Sequence, residues 1–252
     1  MTFTSSRLIH RIPALLLSLG IGFFLWRGLV LPSFPHLGST AAHYVTHTAS
    51  ETGASNVVAA ILFDYRAFDS LGEATVIYTT VCGVALLFAG RRYRSSRRGL
   101  SFVVKRGMAL MVPFILLYAS TIVLMGHLTP GGGFQGGVIL ATITVLFCIV
   151  YGSRFEAAQI NPNKKEMAES FAGLFFVGLG LVGLLGGAGF LANLRAGFPG
   201  GTPGELLSAG TIPFLNIAVG LKVGASLSTL FYSMIKILEA PSEGPPPEVF
   251  SS

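Results

Sequence analysis

Residues 107–125 read Gly-Met-Ala-Leu-Met-Val-Pro-Phe-Ile-Leu-Leu-Tyr-Ala-Ser-Thr-Ile-Val-Leu-Met, and residues 137–151 read Gly-Val-Ile-Leu-Ala-Thr-Ile-Thr-Val-Leu-Phe-Cys-Ile-Val-Tyr. Neither stretch holds an Asp, Glu, Lys or Arg. Crossing a hydrocarbon core about 30 Å thick takes roughly 20 apolar residues as a helix, because only a helix or a closed barrel satisfies its own backbone groups in lipid. Two further apolar runs follow, Ala168–Phe190 and Thr211–Ile237. These four runs decide the fold class: all-α and polytopic. The whole composition agrees. Hydrophobic residues make up 52% of the 252 and charged residues 11%, against about a quarter charged in ordinary soluble domains. The 32 glycines suit helices that pack closely in lipid.

Working outward towards the N-terminus, the run Ile12–Leu31 follows Arg7, His10 and Arg11. Trp26-Arg27 interrupts the place where a signal peptide would end and no small-x-small cleavage site follows, so the run reads as a retained span. Residues 32–54 read as a polar, solvated loop. His43 and His47 are spaced to share a helix face, but no carboxylate or cysteine joins them before Glu51, and no metal site is expected. Asn56–Phe63 is apolar but too short to span, so residues 55–70 are expected to form a short non-spanning helix, lying in the outer leaflet or against other protein. Ala74–Ala89 is the second span, and the arginine run at 91–98 is a linker. The expected organisation is six spans in a 2 + 4 arrangement: a two-span region 1–99, a four-span domain 100–238, and a disordered tail 239–252 containing Pro245-Pro246-Pro247.

The formal charge is +6. The basic residues lie in short loops beside apolar runs, which points to membrane topology rather than to nucleic acid. With six spans, one side of the membrane holds Arg7, Arg11, the five arginines of 91–98, Lys105, Arg106, Arg154, Lys164, Lys165 and Lys236, thirteen of the 17 Lys and Arg. That side is expected to be the cytoplasm, with both termini there. Cys82 and Cys148 have no Cys or His at ligand spacing and read as buried free thiols.

Few residues carry chemistry. Asp69 and Glu73 are four apart and share a face if helical. Two carboxylates so placed in a dry site hold a proton or a hard cation; alternatively, Asp69 or Ser70 caps a helix and Glu73 closes a capping box. Asp64 and Arg66 either mark the watery end of an apolar stretch or pair with another subunit. Lys222, flanked by Gly220 and Gly224, falls near the middle of the last apolar run. An ionisable group there costs roughly 2.5–3.5 kcal/mol on insertion scales and is expected to face a carboxylate or a hydrated passage. Between two spans lies His127-Leu128-Thr129-Pro130-Gly131-Gly132-Gly133-Phe134-Gln135-Gly136-Gly137. Pro130 is expected to end the preceding span, the glycines to supply flexible backbone, and Gln135 to offer a donor and an acceptor. His127 either titrates near neutral pH or caps its helix. A phosphate loop is a poor alternative because no Lys-Ser/Thr follows the last glycine.

That loop, with Ile212-Pro213-Phe214-Leu215-Asn216-Ile217-Ala218-Val219-Gly220-Leu221-Lys222-Val223-Gly224, resembles the B subunit of Mrp-type multisubunit Na+/H+ antiporters over about residues 100–238. Asn56-Val57-Val58 and Ile61-Leu62-Phe63-Asp64-Tyr65-Arg66-Ala67-Phe68-Asp69-Ser70-Leu71-Gly72-Glu73 are similar to the C-terminal end of the antiporter's large A chain. Both pieces also resemble small subunits of membrane-bound hydrogenases. The resemblance implies a fusion of two pieces of one machine, an accessory subunit that helps move Na+ or H+. It implies no flavin, haem or iron–sulfur group, no enzymatic activity of its own, and partners that are the other subunits of a complex in a prokaryotic cell membrane, with a redox module as a further candidate. It favours ion handling by Asp69 and Glu73. The rival reading is a scaffold joining the antiporter-like module to a redox-driven pump. An independent carrier is disfavoured because the halves show no repeat.

Overall fold

The computed structural model describes residues 16–24, 26–27, 38–88 and 100–238. Among these there are helices and turns and no strand. The chain forms two compact units, residues 1–42 and 43–252. In the first, residues 16–24 and 26–27 are helical; the rest of the expected span Ile12–Leu31 lies outside the described residues, as do the arginine run and the tail from 239.

Five helices among the described residues are long and apolar enough to cross a membrane: Ala67–Leu87, Phe102–Leu124, Gly133–Tyr151, Pro162–Leu185 and Ile212–Ile235. In chain order the helices are α1 (Ser39–Thr52), α2 (Val57–Ala60), α3 (Ala67–Phe88), α4 (Phe102–Leu124), α5 (Gly133–Tyr151), α6 (Ser153–Gln159), α7 (Pro162–Leu185) and α8 (Ile212–Leu238). The last is the hub. It packs on α5, α7, α3, α4 and α6, and more than half of its apolar window is buried. By contrast, α3 and α4 leave most of their surface open, with Val76, Leu86, Phe102, Phe114 and Leu117 exposed. Such faces belong against lipid or another membrane subunit.

The structure moves several expected boundaries: α4 starts at Phe102, not Gly107, and α5 at Gly133, not Gly137, and four further changes follow. The loop expected over 32–54 contains α1, whose polar sequence gave no apolar stripe to read. Residues 55–70 do form a non-spanning helical piece, but it is a short helix running into a π-turn, Ile61–Tyr65, in which Arg66 N–H donates to Ile61 O. Its Ala59, Ala60 and Phe63 join Ala67, Leu215 and Val219 in the chain's own core instead of facing lipid. The second span starts at Ala67, not Ala74, because Ser70 Oγ donates to Leu62 O at 2.6 Å and locks the new helix to the π-turn. The fourth of these spans starts at Pro162, not Ala168: Asn161 Oδ1 accepts from Asn163 N–H, and Pro162 occupies the first turn, where a missing N–H does no harm. Asp69, Glu73, Lys165 and Glu169 therefore all lie within spanning helices.

Candidate functional site

The glycine loop is built by two polar side chains, Asn216 and Asn56, and a strip of missing side chains. Gly131 and Gly132 adopt φ of 149° and 151°, which side chains disfavour. This bends the chain so that Gly133 N–H donates to Asn216 Oδ1 at 2.8 Å. A Cβ on Gly133 would collide with the Asn216 carbonyl, one on Gly136 with Val123, and one on Gly137 would stand 2.7 Å from Gly220 O. The loop is thus the seam where α5 meets α8 and α4. From the other side Asn56 caps α2 through Oδ1, while its Nδ2 donates to Gly126 O (2.7 Å) and Thr129 O (2.9 Å).

His127 is fully buried, so it neither caps an exposed end nor meets water. Its ring nitrogens make no well-formed hydrogen bond, although the backbone of Glu205 and Leu206 lies near enough to favour the charged ring. Burial outweighs that and pushes the imidazole below its usual value. Pro130 sits beyond the end of α4, which closes at Leu124.

Asp69 and Glu73 are on α3 as their spacing requires, but the structure does not pair them. Asp69 Oδ2 is 2.7 Å from Arg66 Nε, and both are exposed. Glu73 instead borders a groove with Leu62, Val76, Ile77, Phe134 and Gln135. No hydrogen bond or ion pair within the described residues engages it. Glu73 and Gln135, assigned separately from the sequence, therefore meet at one place.

Lys222 finds its carboxylate. Its Nζ lies 3.5 Å from Glu169 Oε1, both side chains are nearly buried, and it sits 5.1 Å from the Tyr78 ring centroid. The pair lies at the edge of a cavity of about 490 Å³ with Thr75, Tyr78, Ser170 and Phe176. Below it Lys165 Nζ donates to Glu156 Oε1 in a second buried ion pair, with the Tyr232 ring 5.1 Å away. Sequence reading missed Glu169, Lys165 and Glu156, because charges beside an apolar run look like its wet end. The available signal was the four-residue spacing of Lys165 and Glu169, which puts both on one face.

At the opposite end, Asn193 is buried and ties three segments together. Its Nδ2 donates to Asp64 Oδ2 (3.2 Å), Ala209 O and Thr52 O, and its Oδ1 accepts from Thr211 N–H. Asp64 is not a mere watery end: burial raises its carboxyl above the usual range, against the Asn193 bond and the charge of Arg195. Beside it the Tyr65 hydroxyl donates to Glu51 at 2.6 Å. That bond holds Glu51 below its ordinary value, while burial, then Glu51, push Tyr65 up to about 12. His43 and His47 stack at 4.4 Å, with His43 reaching Glu51. Among the described residues no group of three or more His, Cys, Asp or Glu is placed to hold a metal.

The domain related to the MnhB subunit of Na+/H+ antiporters matches residues 103–229, from the start of α4 into α8. The chain belongs to this MnhB-related family. Residues 10–107 match a second family, MbhE, one of the subunits of MBH. An uncharacterised protein of Methanocaldococcus jannaschii is 32% identical over 240 residues, covering 84% of this chain and 89% of that one. A probable K+/H+ antiporter A/B subunit of Rhizobium meliloti is 26% identical over 189 residues; the match spans 61% of this chain and 18% of the relative. Among solved structures, a chain of the membrane-bound sulfane sulfur reductase, an archaeal respiratory membrane complex, superposes with a TM-score of 0.76 at 35% identity, covering 90% of this chain and 98% of that one. A chain of the Mrp complex from Dietzia sp. DQ12-45-1b gives 0.73 at 21% identity over 97% of this MnhB-related chain and 27% of its own length, a likeness of fold.

Proposed function

We propose that this MnhB-related protein is a membrane subunit of a multisubunit Na+/H+ antiporter-type complex and that Glu73, with Gln135, handles the cation or proton at the face where another subunit joins. The family membership and the likeness to chains of two multisubunit membrane complexes support the first part. The observation that carries the second is the carboxylate of Glu73 on a spanning helix, in a groove otherwise lined by apolar side chains and Gln135, with no partner among the described residues. A carboxylate facing lipid is costly; one facing a second subunit's polar group or a hydrated passage is not. Asp69, exposed and paired with Arg66, lies one turn before Glu73 on α3. We read the chain as having no catalytic chemistry or cofactor of its own, Na+ and H+ as the ions moved, and both termini as cytoplasmic.

The full-length likeness to the sulfane sulfur reductase chain favours a second reading, in which the same subunit joins an antiporter-like module to a redox module. Purification through this chain separates the two: co-purifying redox subunits favour it, antiporter subunits alone do not. The site itself is tested by Glu73→Gln in vesicles holding the whole complex. Gln preserves shape and hydrogen bonding but not charge. The expected outcome is loss of Na+-dependent pH change with normal subunit content. Normal transport in Glu73→Gln and in Asp69→Asn leaves the scaffold reading standing.

A further inference from the structure

Four ionisable side chains line the inside of the bundle in alternating sign: Glu156 on α6, Lys165 and Glu169 one turn apart on α7, and Lys222 on α8. All four are buried within this chain, so no partner subunit is needed to dry them. Lys165 lies by Tyr232 while Glu169 lies by Lys222. The two helices therefore run antiparallel here, and Ser226 falls on α8 between those two levels.

Six buried side-chain atoms among the described residues have no hydrogen-bond partner, and three are Glu156 Oε2, Glu169 Oε1 and Ser226 Oγ. Buried polar atoms in folded proteins are almost always satisfied, by ordered water where protein does not serve. Glu169 Oε1 faces the Lys222 ammonium at 3.5 Å without a formed hydrogen bond, while Glu156 Oε2 and Ser226 Oγ have no partner, and water held at these buried atoms links the two ion pairs. Stability does not explain the charges, since apolar replacements for buried ion pairs are often neutral or better.

We infer that Glu156, Lys165, Glu169 and Lys222, with water at Ser226, form a proton-transfer line from the basic edge of the bundle to the cavity beside Tyr78. This rests on the reading of the chain as part of an ion-translocating complex and adds to it a route separate from Glu73. The proton count closes. Lys222 releases a proton to the cavity and becomes a neutral amine. The Lys165 ammonium passes its proton through water to the Glu169 carboxylate, which passes it to Lys222. Glu156 takes a proton from the edge and returns Lys165 to its ammonium form. One proton enters for each that leaves, and every group recovers its charge. Lys165 and Glu169, four apart on α7, share one helix face, and water carries the proton between their head groups.

The test uses the whole complex in vesicles, with proton flux read by an internal pH dye under an imposed Na+ gradient. Lys222→Arg keeps the charge and the ion pair but holds its proton at any working pH. The expected result is normal assembly with flux reduced at least tenfold. An assembled Lys222→Arg complex with flux within twofold of wild type overturns the proposal, because a purely structural pair tolerates arginine. Should Lys222→Arg fail to assemble, Ser226→Ala decides: it breaks no ion pair, and a severalfold slower flux supports the line while unchanged flux overturns it. Glu73→Gln in the same vesicles keeps the two readings apart. Loss there with full flux in Lys222→Arg sinks the line alone; the reverse sinks the Glu73 reading alone.

Discussion

Gly133 shows how little room a single position has. Any side chain there meets the backbone of α8 at Asn216, and backbone cannot rotate aside as a long side chain does. Gly133→Ala is expected to cost about 1–3 kcal/mol, the range of overpacked cores, read as a lower melting temperature of the purified complex. Asp64 makes the opposite case, a native residue that is not the most stable choice. Its folded carboxyl titrates above its unfolded value, so its contribution is fully present below about pH 3.9 and is lost as pH rises through the folded value. Asp64→Asn still accepts the Asn193 hydrogen bond and removes the charge. The variant complex is expected to melt higher than wild type at pH 7, with the advantage vanishing towards pH 4. An equal difference at both values would show that Asp64 is not strained by its ionisation.

At the scale of elements, the existence of α4, α5 and α8 was legible from their long apolar runs, although α4 begins at Phe102, ahead of Lys105 and Arg106, and not at Gly107. The misplaced starts of α3 and α7 have one physical cause. Asp69, Lys165 and Glu169 look like the wet ends of spans, and only three-dimensional structure shows that a charge has a partner: Arg66, Glu156 and Lys222 in turn. Lys222 was legible as a residue in need of a carboxylate, but its partner was not, because pairing across helices leaves no local pattern. Asn56 and Asn193 were invisible for the same reason. The short α2 has too few residues to be stable by itself; Asn56 secures it with a cap and two bonds to the glycine loop. Asn56→Ala is expected to cost about 1–2 kcal/mol, seen as faster amide exchange in residues 57–65 with the rest of the complex unchanged.

For the whole molecule, the clustering of basic residues predicts that residues 91–106 and the glycine loop lie on opposite sides of the membrane. With Cys82 and Cys148 replaced, a cysteine at Thr129, which is exposed, is expected to react with an impermeant thiol reagent from outside the cell, and one at Ser95 only after the membrane is opened. Equal outside labelling of both would sink this topology.

The central place of α8 also sets an order of events during synthesis. Every other described span is made before the helix on which it packs. When α7 leaves the ribosome, Glu169 has no Lys222 to meet, and Gly133 and Gly137 of α5 lack the α8 backbone on which they pack. At about 5–20 residues per second, this exposed intermediate lasts on the order of several seconds. A nascent chain stalled or truncated before residue 212 leaves a carboxylate stranded in the bilayer, which is the kind of lesion that insertases shelter and membrane proteases recognise.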